Sequence, residues 1–114
     1  MAMRYLVLGF SAMVLCAQNA DLAKELVQPR QRIDSIDHQI VQLLNERAQV
    51  VRDVGLIKKK YNAPVSVPGR EEQVVHRAGE GARAPLTAPA VEAIYRTILH
   101  EMSGMEQTEV EHSR

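Results

Sequence analysis

Residues 30–61 read RQRIDSIDHQIVQLLNERAQVVRDVGLIKKKY, and their periodicity decides the fold. As one helix the stretch is about 48 Å long at 1.5 Å per residue. Ile33, Asp37, Ile40, Leu44, Arg47, Val51, Val54 and Lys58 follow one another in alternating steps of four and three, the spacing of a heptad seam. Asp37, Arg47 and Lys58 are charged. A seam this long cannot bury itself within one small protomer, so it calls for a partner helix, and its charges call for something to bind.

The rest of the chain agrees with a helical protein. With 114 residues, no Trp, one Phe and three Tyr, one domain is available and its core must be aliphatic. Below about 100 ordered residues a lone core is marginal, which favours an oligomer. Lys and Arg total 14 against 14 Asp and Glu, interspersed, so no basic footprint for nucleic acid exists. Cys16 has no second cysteine to pair with and no metal-ligand spacing around it.

Residues 1–20, MAMRYLVLGFSAMVLCAQNA, place Arg4 before an apolar run from Tyr5 to Ala17, followed by small or polar residues. That is the layout of a secretory signal peptide, and the run is short for a stable membrane span. The expectation is a leader over 1–20 and a mature helical domain over 21–114, periplasmic or secreted. Cleavage after Ala17 or Ala20 leaves Leu15 or Gln18 at the minus-three position, both poor; Leu15 also argues against lipidation at Cys16. The plainer alternative is an apolar helix that stays attached. Removing Arg4 with the leader leaves 13 basic and 14 acidic residues of the 14 and 14, a charge of −1.

Pro29 suits a first helical position, so the long helix is expected to begin there and to end where Asn62-Ala63-Pro64 follows the basic run Lys58 to Lys60. Pro64 to Gly69 reads as extended, a brief second helix as 69–79, and a third helix as starting at a Thr87 cap with Pro89 in its first turn. Val91, Ile94, Tyr95, Ile98, Leu99, Met102 and Met105 give the third helix one apolar face. No strand pattern, repeat or glycine-rich phosphate loop is present.

Chemistry must come from polar groups on buried faces. Arg47 and Lys58 are eleven residues apart, three turns, and so about 16 Å apart on one line; between them they can hold a small anion. Arg30 points about 100° away from Arg47 and reaches such a site only across an antiparallel helix pair. The plain readings are an ion pair of Arg47 with Glu46 or Asp53, and a solvated helix end for Lys58. Glu106 continues the apolar face of the third helix, which makes it a candidate proton donor unless the helix frays first. Gln107, 100° further round, should be exposed. Glu71 can simply complement a helix N-terminus, and Arg70 and Glu72 read by default as surface charges.

Arg30-x-x-Ile33-x-x-x-Asp37, Leu43-Leu44-x-x-Arg47, Val54-Gly55-x-x-Lys58, Pro64 and Arg70-Glu71 together resemble the all-helical, type II chorismate mutases and the related isochorismate pyruvate lyases, over Leu26 to Gln107. The resemblance implies an all-α, three-helix subunit with a very long first helix, intertwined as a homodimer with two equivalent sites. It implies that Arg30 enters the partner's site and grips one carboxylate of chorismate, Arg47 grips the other, Lys58 and Glu106 meet the ether oxygen, Glu71 receives the ring hydroxyl, and Arg70 lies near the carboxylates. Two positions depart from the commoner pattern: Val67 stands where many members carry Asp, closer to the lyase branch, and Glu106 stands where Gln is usual, as in the fungal mutases. Conversion of chorismate to prephenate needs no metal and no cofactor. The alternatives are pyruvate elimination from isochorismate, and a noncatalytic helical dimer that binds a small dianion or another helix.

Overall fold

The computed structural model describes residues 2–112, and the side chains among them from Cys16 onward. Three helices, α1 (Ala2–Lys60), α2 (Pro68–Glu80) and α3 (Ala88–His112), make up the described chain, which contains no strand. The all-α expectation holds. Arg4 and most of the apolar run of the expected leader lie outside the described side chains, so the signal-peptide reading rests on sequence. Among the described residues no helix is long and apolar enough to cross a membrane.

The largest departure from the sequence reading is the start of the long helix. The long helix does not begin at Pro29: α1 runs through it. Proline in a helix interior forfeits one hydrogen bond and crowds the carbonyl four residues back, a cost of about 3 kcal/mol. That penalty is local, and its φ is already helical. The preceding Leu22-Ala23-Lys24-Glu25-Leu26 consists of strong helix formers, so helix persists on both sides.

The other end of α1 is built as expected. Asn62 adopts a left-handed φ of 52°. Its N–H bonds to the Lys59 carbonyl at 3.1 Å and that of Ala63 to Lys58 at 2.8 Å, the paired bonds of a Schellman cap. Pro64 then bars any continuation. Helix α2 opens with Pro68 in its first turn behind an extended Val67, whose carbonyl accepts from the amides of Arg70 and Glu71 at 3.0 and 3.1 Å. It starts one residue earlier and ends one later than the sequence suggests. The Thr87 hydroxyl oxygen accepts from the Ala90 amide at 3.3 Å and caps α3.

The chain divides into two compact units, residues up to Leu43 and residues from Leu44 on. In the N-terminal unit every described side chain is exposed except half-buried Leu26, and Leu22, Ile33, Ile36 and Ile40 are among the exposed. In the C-terminal unit α2 packs on α3. Val75 is 2% exposed and is the single fully buried apolar side chain described; Glu106, at 6%, is the single buried charged one. A core this small stabilises a unit of this length weakly, since one buried aliphatic side chain is worth only about 2 kcal/mol.

Across the outer face of α2 and α3, Arg96 donates to Glu72 through Nη1 at 2.6 Å and Nη2 at 3.3 Å. Those hydrogen bonds first, and the guanidinium charge second, hold the Glu72 carboxyl below its ordinary value. A carboxylate lowered in the folded state contributes stability that is present above its unfolded value and is lost as pH falls through the folded one. Both groups are exposed, so the contribution is small. A Glu72→Gln, Arg96→Met double-mutant cycle read by thermal unfolding is expected to give weak coupling at neutral pH and none in acid; coupling that persists in acid would show the pair acts through packing instead.

Candidate active site

Within the C-terminal unit a pocket of about 410 Å³ opens between the three elements, a size that suits a small ligand. Helix α1 supplies Arg47, Val50, Val51, Val54 and Lys58; the connection supplies Val65 and Val67. Helix α2 adds Arg70, Glu71 and Val74, and α3 adds Leu99, Met102, Ser103 and Glu106. Three cations and two carboxyls thus face a wall made mostly of aliphatic side chains. Inside such a wall charge–charge attraction is stronger than in water.

Each polar group has a local reason for its position. Lys58 is in the last turn of α1, where the Schellman cap folds the chain back; its ammonium donates to the Val65 carbonyl at 2.7 Å. The same Nζ lies 3.1 Å from Glu106 Oε1. That approach is an ion-pair distance without hydrogen-bond alignment, because Oε1 is buried with no hydrogen-bond partner. A buried acceptor without an aligned donor is costly in a protein interior, and the ammonium beside it offsets that cost only in part.

Arg47 does not pair with Glu46 or Asp53. Its Nη1 donates to the Met102 thioether sulfur at 2.8 Å. Sulfur is a weak, uncharged acceptor, so the guanidinium is oriented without being neutralised, and its charge remains available to an anion. Arg70 is exposed at the pocket margin and donates to Gln73 at 3.1 Å. Glu71, half-buried in the first turn of α2, lines the pocket.

The structure thus brings together five of the six residues singled out from sequence: Arg47, Lys58, Arg70, Glu71 and Glu106. Between Glu106 and Gln107 it decides for Glu106; Gln107 is exposed. Arg30 is an exposed residue of the N-terminal unit, and the pocket is lined wholly by residues of the other. Asp37, on the seam by spacing, is exposed. One contributor escapes the sequence reading: Met102 reads as an ordinary member of an apolar face, and no pattern marks a methionine as an acceptor. Gly55 stands in the pattern Val54-Gly55-x-x-Lys58 without a role, and the structure supplies one, since a glycine inside a helical pattern usually has a packing reason. A Cβ built there would lie 2.8 Å from Glu106 Cγ and 3.4 Å from Oε1, so only glycine lets α3 bring its carboxyl against α1. Among the described residues no group of three or more His, Cys, Asp and Glu is placed to hold a metal ion.

Comparison with known proteins adds an independent line. The family model described as chorismate mutase type II matches residues 29–107. The bifunctional chorismate mutase/prephenate dehydratase of Aquifex aeolicus is 44% identical over 54 residues, 47% of this chain and 15% of that protein. The T-protein of Enterobacter agglomerans is 32% identical over 81 residues, 70% of this chain and 22% of its own length. A chorismate mutase of Methanocaldococcus jannaschii is 34% identical over 56 residues, 49% of this chain and 57% of that one. The chain thus spans under a quarter of the two longer relatives.

Two of the helical glycines, Gly55 and Gly104, provide a test of the pocket's packing. Alanine in a helix interior is favoured over glycine by roughly 1 kcal/mol. At Gly104, where a Cβ meets nothing within 4 Å, Gly104→Ala is expected to raise stability by about that much. At Gly55 crowding costs about 1–3 kcal/mol and outweighs the gain, so Gly55→Ala is expected to lower it. Thermal unfolding of the two variants reads the difference; equal shifts would mean that Glu106 yields without cost.

Proposed function

The chain belongs to the chorismate mutase type II family, and from that premise we propose that it rearranges chorismate to prephenate in the pocket between α1, α2 and α3. The observation that carries the proposal is the convergence of Arg47, Lys58 and Glu106 on one aliphatic cavity. They come from opposite ends of the C-terminal unit's sequence. The reaction is intramolecular, so no nucleophile or base is required. What the protein must do is hold a flexible dianion in its compact conformer and stabilise the negative charge that grows on the ether oxygen as the C–O bond breaks.

Arg47 suits the first task. Its planar fork accepts both oxygens of a carboxylate, and the thioether that orients it yields readily to a charged ligand. Lys58 suits the second, its ammonium anchored by the Val65 carbonyl with donors to spare. Glu106 joins it as a proton donor when its carboxyl is neutral. Glu71 is the acceptor for the ring hydroxyl, and Arg70 adds positive charge at the margin.

A homodimer completes this reading. The exposed Ile33, Ile36 and Ile40 of α1 form a face for the same helix of a second copy, and antiparallel pairing delivers Arg30 to the partner's pocket as the grip on the second carboxylate. Export belongs to the same proposal: the leader-like residues 1–20 direct the chain to the periplasm or beyond, and the mature domain is 21–114. Pyruvate elimination from isochorismate is the second reading, favoured by Val67, an apolar residue on the pocket wall.

Ultraviolet assay of the purified chain with chorismate and with isochorismate separates the two reactions, and turnover of neither by a folded dimer would leave a noncatalytic dianion binder. Arg47→Ala is expected to lower turnover of chorismate by about a hundredfold or more with the dimer intact by sedimentation; unchanged turnover would place the site elsewhere. Glu106→Gln, whose amide donates at any pH, is expected to retain turnover of chorismate, while Glu106→Ala is expected to lower it by about a hundredfold; unchanged turnover in Glu106→Ala would remove Glu106 from this role.

A further inference from the structure

The N-terminal unit carries more apolar surface than the family-matched region accounts for. The match begins at residue 29, yet α1 is already helical well before it. At 100° per residue, Leu22, Leu26, Pro29, Ile33, Ile36 and Ile40 all fall within about 40° of one line along the helix. Because α1 passes through Pro29 without stopping, the apolar line passes through it too, in phase. Leu22 is 56% exposed, as open as Ile33 at 54%. Val27, also exposed, sits about 140° away on the other side.

We propose that residues 21–28 are a working part of the dimer interface, two further turns of seam that dock on a second copy of this chain. This rests on the antiparallel dimer read above, and the same register says where the segment goes. With Arg30 of one chain beside the partner's Arg47 and Lys58, each step toward the N-terminus of one helix advances one step toward the C-terminus of the other. Leu26 and Leu22, four and eight residues before Arg30, therefore arrive at the end of the partner's α1. That end carries its own exposed apolar side chain: Tyr61, three residues after Lys58 and so about 60° from the seam line, is 73% exposed. Two exposed apolar groups, one in each unit, become complementary through the arrangement that also delivers the arginine. Charge follows the same register, since Asp21 and Glu25 approach the basic run Lys58 to Lys60. The segment lies beyond both sequence-compatible cleavage points, Ala17 and Ala20, and so remains in an exported chain.

The test is the dimer dissociation constant, measured by sedimentation on the full chain as purified, with its N-terminus established by mass spectrometry. Leu22→Asp combined with Leu26→Asp is expected to weaken the dimer at least tenfold, and Tyr61→Asp, at the other side of the same contact, to do likewise. Val27→Asp places the same charge in the same helix on the opposite face and is expected to stay within twofold of the parent, with circular dichroism checking that helix content matches. Loss of affinity in all variants alike, or in none while the parent is dimeric, overturns the proposal and leaves the dimer of residues 29–60 standing. A monomeric parent overturns the dimer reading itself.

Discussion

The C-terminal unit depends on an approach that most helix pairs avoid: a glutamate stem pressed against the backbone of another helix, its carboxyl 3.1 Å from a lysine ammonium. Gly55 makes the approach possible by having no side chain. Lys58 is one turn along α1 from the glycine, and the capped end of the helix turns the chain so that the Val65 carbonyl meets its ammonium. Burial of Glu106 is costly in itself and is offset only in part by Lys58, because Oε1 has no hydrogen-bond partner. Enzymes keep such unsatisfied groups where a substrate supplies what is missing.

How much of this was legible in the sequence differs from residue to residue. The aliphatic seam and the cap residues announced helices, and the three-turn separation of Arg47 and Lys58 placed them on one face. Glu106 was legible because it continues a periodicity that Gln107 breaks. Pro29 misled, because its rule is about the cost of an interior proline, and cost does not forbid when strong helix formers flank it on both sides. Met102 stayed hidden, because its role arises from a contact 55 residues distant and its residue type is the same one that fills apolar cores. Arg30 is the opposite case, conspicuous in the sequence pattern yet exposed in the N-terminal unit and not among the residues that line the pocket.

That division between what one copy holds and what it lacks has an energetic counterpart. One valine is fully buried among the described residues, while more than a dozen large apolar side chains are exposed. A seam that buries those residues between two chains also sets the position of any residue that crosses it. In the dimer we propose, folding, association and assembly of the site are aspects of one equilibrium, and weakening the interface would dilute out activity as well as stability.

The glycines contacting α3 carry a last implication. Gly79 of α2 receives the Glu92 stem, with a built Cβ 2.8 Å from its Cγ, just as Gly55 of α1 receives that of Glu106. The two glutamates are fourteen residues apart, about 21 Å along one side of the helix. Helix α3 is therefore keyed at two distant notches, like a rod held by two pins, and cannot slide by one residue without driving both stems into neighbouring side chains. The longitudinal position of the Glu106 carboxyl is inherited from those notches and not from the length of the loop that precedes α3. Insertions or deletions between Gly81 and Thr87 should accordingly drift freely in evolution, while the spacing from Glu92 to Glu106 is held.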